Sequence, residues 1–198
     1  MKKILTITIL ITILSTLAFF TLQVKAGTGT FGYTTSGSTS LSLATNKARA
    51  FAFLSSADAD YVTSITGRFS VGFGEGQVKM CIWNIAGTLM GCSVEVEVGA
   101  FANNYTRELL VDIEPNNYYY LGFVNNDGVT YYYDDDDSVY NFGAEDSSMS
   151  YTTPTNFGFD VYDKKKLTIW VTYNITPTGR LQIKSNTLNV KSNTLQIK

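Results

Sequence analysis

Past residue 26 the chain alternates between apolar and polar positions with a period of two. Val94, Val96 and Val98 flank Glu95 and Glu97, and Leu109, Val111 and Ile113 repeat the rule up to Pro115. Tyr119, Leu121 and Phe123 form a further inward set, and Leu167, Ile169, Val171 and Tyr173 make a last long one. That spacing belongs to half-buried β-strands rather than to helices, whose apolar stripe recurs every 3.6 residues. Ile65, Phe69, Val71 and Phe73 share a face with Thr63, and Gly67 among them marks a bulge or a close approach. Asn126-Asp127-Gly128 predicts a hairpin turn that needs positive φ. With about nine strands and no helical stripe, the expected fold class is all-β: an antiparallel, jelly-roll-like sandwich of two sheets.

The first residues follow a different rule. Lys2 and Lys3 precede a charge-free, mostly apolar run from Ile4 to Phe20, and Val24-Lys25-Ala26 places small residues at a cleavage position. This is the layout of a secretory signal over residues 1–26; left uncut, it would be a membrane anchor. The expected organisation is therefore a signal peptide (1–26), a sandwich domain (27–179) and a short tail (180–198). The expected location is secreted or at the cell surface.

Charge then narrows the partners. The full chain carries 15 basic and 17 acidic residues; three of the lysines are in the leader, so 12 basic residues face 17 acidic ones afterwards. An acidic chain of this kind does not suit nucleic acid. Arg180, Lys184, Lys191 and Lys198 concentrate in the tail, which contains no acid, so an acidic body carries a basic end. Histidine is absent altogether. Its absence removes the usual general base, the commonest metal ligand and the partner of a catalytic Ser or Cys, leaving carboxylate or Ser-Lys chemistry for any enzyme. No catalytic residue is assigned.

The two cysteines, Cys81 and Cys92, are read first as a disulfide in an exported chain. A turn centred on Ala86-Gly87 between strands 77–83 and 89–98 sets 81 opposite 92. The same register would put Cys81 and Trp83 on one face with Val94 and Val96, away from Val78, Met80 and Ile82, unless a bulge at Gly91 shifts the pairing. The alternative is a pair of small buried hydrophobes that never oxidise.

Several segments also resemble a known type of domain. Gly32-Tyr33-Thr34-Thr35, Val62-Thr63-Ser64-Ile65, Val78 to Asn84, Tyr119 to Phe123 and Tyr131-Tyr132-Tyr133-Asp134 look like a secreted carbohydrate-binding-like jelly-roll domain of prokaryotic extracellular proteins. The likeness covers about residues 32 to 173. It implies a non-catalytic module for surface attachment or glycan contact. The turn Asn84-Ile85-Ala86-Gly87 departs from the Asp and Gly that similar domains carry there, and the two cysteines have no counterpart in the likeness.

Two features could carry binding. The tyrosine clusters 118–120 and 131–133 offer stacking platforms for sugar rings, with Tyr131 and Tyr133 on one side of their strand and Tyr118 and Tyr120 paired likewise. The competing reading is core packing. Asp134, Asp135, Asp136 and Asp137, with Glu145 and Asp146 beyond them, could bind calcium, although the spacing is not that of an EF-hand loop and a solvated acidic loop fits equally. The tail repeats every seven residues, Leu181-Gln-Ile-Lys-Ser-Asn-Thr, Leu188-Asn-Val-Lys-Ser-Asn-Thr, Leu195-Gln-Ile-Lys198. It reads as short strands separated by turns, able to self-associate by strand addition to a sheet edge or to remain an unstructured end. Asn104-Tyr105-Thr106 and Asn174-Ile175-Thr176 match the N-glycosylation pattern. The expected functions are, in order, a glycan or cell-surface binding module, a structural subunit of an extracellular assembly, and a carboxylate-based glycosidase.

Overall fold

A computed structural model describes residues 27–72, 74–135 and 142–175, and the backbone of 188–191 and 194–197. The leader, Phe73, Asp136 and Asp137 lie outside the described residues. Fourteen strands build the body: β1 (Gly27–Gly32), β2 (Thr39–Leu43), β3 (Lys47–Leu54), β4 (Tyr61–Ser70), β5 (Gly76–Asn84), β6 (Leu89–Cys92), β7 (Val96–Val98), β8 (Asn103–Asp112), β9 (Tyr118–Asn125), β10 (Val129–Asp135), β11 (Gly143–Asp146), β12 (Val161–Asp163), β13 (Lys165–Leu167) and β14 (Ile169–Ile175). Two more, β15 (Leu188–Lys191) and β16 (Thr194–Ile197), pair with each other as a separate antiparallel ribbon. No helix occurs among the described residues.

The body is an antiparallel two-sheet sandwich, as the alternation predicts. One sheet, here sheet A, holds β1, β14, β4, β10 and β13, with β2 added to β10 and β8 to the far side of β4. The other, sheet B, runs β12-β11-β3-β9-β5-β6, with β7 continuing the edge beside β5. Strand β4 pairs first with β14, through Ile169↔Gly67 to Asn174↔Tyr61, and then with β10 at Phe69 and Ser70. Thr168 marks the divergence: its N–H donates to Tyr132 O (2.9 Å), while its carbonyl accepts Arg68 N–H (3.1 Å).

Between the sheets lies a core that includes Val62, Ile65, Phe69, Met80, Ile82, Leu109, Val111, Leu121, Phe123, Ile169 and Val171. The predicted inward sets of 109–113, 119–123 and 167–173 all fall in it. Val96 and Val98 do as well, but Val94 is exposed. Gly67 is the predicted close approach, for a side chain there would strike the Phe69 ring.

A second core accounts for the cysteines. Ala48, Ala50, Ala52, Cys81, Trp83, Tyr120 and Val124 point away from sheet A and are roofed by Met149, Tyr151 and Phe157 from the connection 147–160. Trp83 donates its indole N–H to Thr155 O (2.9 Å) and meets Phe157 edge to face at 5.1 Å. Sheet B is thus buried on both faces, so strands β3, β5 and β9 need no polar alternation. The register conflict foreseen for Cys81 dissolves for this reason. Cys81 and Cys92 are directly opposed and bridged, with their Cα atoms 4.0 Å apart. Between Cys92 and Val96 the pairing slips by one residue, from Cys81↔Cys92 to Val78↔Val96. Ser93 holds the slip, its N–H on Met80 O (2.8 Å) and its hydroxyl accepting Met80 N–H (3.1 Å).

One turn is corrected. Asn126-Asp127-Gly128 does not close a hairpin: β9 belongs to sheet B and β10 to sheet A, so the segment crosses between sheets. Gly128 is absent from the positive-φ positions, which among glycines are Gly32, Gly74 and Gly87. The fully buried Asn125 makes the crossing, donating its amide to Leu43 O (3.0 Å) and Asp127 O (2.6 Å), while Asn126 accepts Gln77 N–H (3.1 Å). Side-chain amides replace the ladder that a hairpin would have supplied.

Replacing both cysteines by alanine is expected to lower unfolding stability by about 2–3 kcal/mol, the loop-closure contribution of a short bridge. Urea unfolding of the double variant checks this; an unchanged midpoint would mean that the bridge is dispensable to the doubly covered sheet.

Candidate functional site

The tyrosines expected to form a platform are mostly inside. Tyr131 is 1% exposed and Tyr133 8%, both in the core between the sheets, where Tyr131 lies 5.6 Å from Phe123 and 5.8 Å from Tyr133. Tyr120 is 6% exposed and stacks on Phe157 beneath the roof of sheet B. These three are core residues, because the side of each strand that carries them is covered. Tyr118 alone of the four is open, at 42% exposure, with its ring stacked on Phe142 at 5.7 Å and 15° between planes.

Tyr118 opens onto a groove at one end of the sandwich. The β5–β6 turn contributes Asn84, Ile85 and Ala86, β6 contributes Met90, and the β8–β9 connection contributes Asp112, Ile113, Glu114 and Asn117, around a volume of about 440 Å³. Register explains the apolar side. Leu54 pairs with Tyr118 and Asn84 with Tyr119, so Leu54, Tyr118 and Ile85 form a row on the outer side of sheet B beyond the end of its roof. All three are exposed, as is Met90.

The polar side is held stiffly. Asn84 Oδ1 accepts the N–H groups of Ala86 (3.0 Å) and Thr88 (2.9 Å), fixing the turn, and Gly87 supplies the left-handed φ of 81° that the turn requires. On the facing wall Tyr119 Oη accepts Glu114 N–H (2.7 Å), Ser55 Oγ accepts Asn117 N–H (3.0 Å), and Asn117 donates to the Glu114 carboxylate (2.7 Å). Two exposed carboxylates and two amides therefore rim an apolar floor, and no basic residue lines the groove.

Asp134 and Asp135, the described part of the aspartate run, sit elsewhere. The Asp134 carboxylate accepts the Ser38 hydroxyl (2.6 Å), the Tyr33 hydroxyl (2.6 Å) and Ser38 N–H (2.7 Å), which together hold it below the usual carboxylate range. It ties the segment after β1 to β10. Asp135, the next strand residue, points to the opposite side, in register with Lys165. Glu145 and Asp146 are on β11 rather than in a loop: Glu145 binds Lys47 (2.8 Å), and the buried Asp146 accepts Ser148 N–H (2.9 Å) and Gly158 N–H (2.6 Å), bolting the roof down. Among the described residues no group of three His, Cys, Asp or Glu is arranged to hold a metal ion.

A buried charge cluster was not foreseen. Arg49 is 2% exposed on the inner face of β3, ion-paired to Asp163 and 3.7 Å from Glu145, with its guanidinium carbon 6.0 Å from the Tyr131 ring centre. Burial pushes the Asp163 carboxyl up, but hydrogen bonds from Lys165 and Arg49 outweigh it and hold the group below its ordinary value. Burial pushes the Tyr131 hydroxyl well up. The cluster fastens the β11–β12 edge to β3; its members face the interior, so it is structural. In the sequence nothing marks Arg49 as buried; it faces inward because its neighbours Ala48 and Ala50 enter the outer core of sheet B.

No protein-family model matches the chain, and no curated protein matches it. The two-sheet sandwich is consistent with a jelly-roll-like fold.

Asp163→Ala is expected to cost about 3 kcal/mol, the low end for stripping a partner from a buried charge, because Glu145 stays beside Arg49. The depressed carboxyl contributes stability above about pH 4 that is lost as pH falls through its lowered value. Asp163→Asn should therefore be less stable than the wild type at pH 7 and show a shallower loss between about pH 4 and 2. Urea unfolding at a series of pH values reads both, and parallel acid profiles would rule out the assignment.

Proposed function

We propose that the body is a non-catalytic extracellular binding module that takes a neutral or cationic glycan in the end groove. The observation that carries this reading is the exposed apolar row of Leu54, Tyr118 and Ile85 beside rigid polar groups. Tyr118 and Ile85 offer an apolar face of the kind that packs on a sugar ring, and Asp112, Glu114 and Asn117 stand where hydroxyl groups or an ammonium would meet acceptors. The volume is in the range of small-ligand sites, roughly 300–1,000 Å³. Two carboxylates without a basic residue disfavour sulfated or carboxylated sugars. Export is supported by the leader and by a disulfide, which persists in oxidising compartments.

Hydrolysis fits the same groove less well. Asp112 and Glu114 are both exposed, whereas a glycosidase keeps one carboxyl in an apolar enclosure to serve as the acid. Assembly through the tail has its own support: among the described residues β8 is a ten-residue strand paired on one side only, and Leu188–Lys191 and Thr194–Ile197 form strands, although β15 and β16 are engaged with each other. Light scattering on residues 27–198 and on a chain ending at Gly179 separates assembly from binding, since a strand donor would multimerise only with its tail.

Tyr118→Ala is expected to weaken binding of a neutral or amino-sugar oligosaccharide by at least about tenfold, with the melting temperature little changed because the ring is exposed. Glycan-array screening followed by calorimetric titration of wild type and variant provides the measurement. Equal affinity in both would remove the groove from the binding site, and release of reducing sugar during the titration would turn the reading to hydrolysis.

A further inference from the structure

Among the described residues of the body, no layer covers the outer face of sheet A. Its register brings together Thr28, Thr30, Trp170, Thr172 and Asn174 from β1 and β14 with Ser64, Thr66 and Arg68 from β4 and Asn104 and Thr106 from β8. Asn104 and Thr106 of one Asn-x-Thr tripeptide and Asn174 of the other belong to this face. In a strand, residues two apart share a side while the one between points the other way. Asn104 and Thr106 accordingly face outward, and Tyr105 is tucked inward, its ring 6.5 Å from Phe69 and its hydroxyl accepting Gly99 N–H (2.9 Å). Asn174 faces outward as well, with Ile175 packed against the core.

These asparagines differ from others in the body. Asn84 and Asn125 hold turns, Asn117 braces Glu114, and Asn156 accepts Leu89 N–H (3.2 Å), so their amides belong to the fold. Asn104 and Asn174 are exposed, and Asn104 takes a long bond of 3.4 Å from Arg68. A bulky group on either amide meets solvent and displaces nothing in the core.

We propose that Asn104 and Asn174 are N-glycan acceptor sites, so that the open face of sheet A carries glycan while the end groove stays clear. In the transfer, Nδ2 bonds to C1 of the reducing-end sugar of a lipid-pyrophosphate-linked oligosaccharide. The C1–O bond to pyrophosphate breaks, the lipid pyrophosphate leaves, and the amide loses one proton. The threonine hydroxyl two residues on is part of what the transferase recognises. Physically, a glycan at Asn104 would stand beside β8, which among the described residues pairs on one side only, and would hinder pairing of that edge with another chain. The inference rests on export of the chain and not on what the groove binds.

The test uses the full chain behind a host secretion leader in a glycosylating eukaryotic cell, with intact mass measured before and after peptide N-glycosidase. The secreted wild type is expected to lose two glycans on digestion, Asn104→Gln and Asn174→Gln one fewer each, and the double variant none. The thermal midpoint of the double variant should move by less than about 2 °C, as for surface substitutions. Thr106→Val should lose the glycan at 104 with Asn104 itself intact, and Thr106→Ser should keep it. A secreted wild type with the mass of the bare polypeptide overturns the proposal. So does loss of folding in the glutamine variants with no glycan on the wild type, which would assign the two amides to the fold.

Discussion

Strand β5 is buried from both sides. Val78, Met80 and Ile82 enter the core between the sheets, while Cys81 and Trp83 enter a second core beneath the 147–160 connection. Over Met80–Trp83 the strand has no wet face, and there alternation alone cannot fix the register, since slipping by one residue exchanges one set of apolar side chains for another. The register is fixed instead by groups of definite geometry: the Cys81–Cys92 bridge, the Trp83 hydrogen bond to Thr155 and the Ser93 contacts with Met80. From that fixed strand follow the position of β9, the projection of Tyr118 past the end of the roof, and the wall of the groove.

Burial on both faces also decides which polar residues are structural. Arg49 and Asp146 sit on opposite sides of the β3–β11 pair, and each is tied to a neighbouring element, Arg49 to Asp163 and Asp146 to Ser148 and Gly158. Phe159 adds to the roof at φ 50°, a conformation costly for a bulky side chain, and its ring is held 5.0 Å from Tyr120 and 5.2 Å from Phe157. The roof is thus an ordered third layer, closed over the part of sheet B that the aromatic residues would otherwise leave exposed.

Alternation carried the fold class and most inward faces, because the strands of sheet A and the inner faces of sheet B obey it. It could not carry the second core. Ala48, Ala50 and Ala52 are too small to signal burial, and Tyr120 and Trp83 read as amphipathic when their true cover comes from Phe157 and its neighbours, far along the chain from both. For the same reason three of the four tyrosines suited to a platform were indistinguishable by sequence from the one that is exposed. The groove left a fainter sign: Ile85 is an apolar residue inside a turn, where polar residues are the rule, and Tyr118 is out of phase with the inward set 119–123. The acidic run gave no hint that Asp134 serves as a clasp for Ser38 and Tyr33, since that contact joins residues about a hundred positions apart.

Gly27 and Ile175 are cross-strand partners, so the body's first and last strands begin and end side by side. A load applied between the leader junction and the tail would act across the β1–β14 ladder at its end, breaking its hydrogen bonds one pair at a time rather than shearing them together. The body would yield first as a zipper does, releasing β1 as slack, while β5, inside the other sheet and bridged to its edge strand β6, stayed intact. A protein held at one end of this chain and engaged at the other would have a soft first response to force and a hard second one.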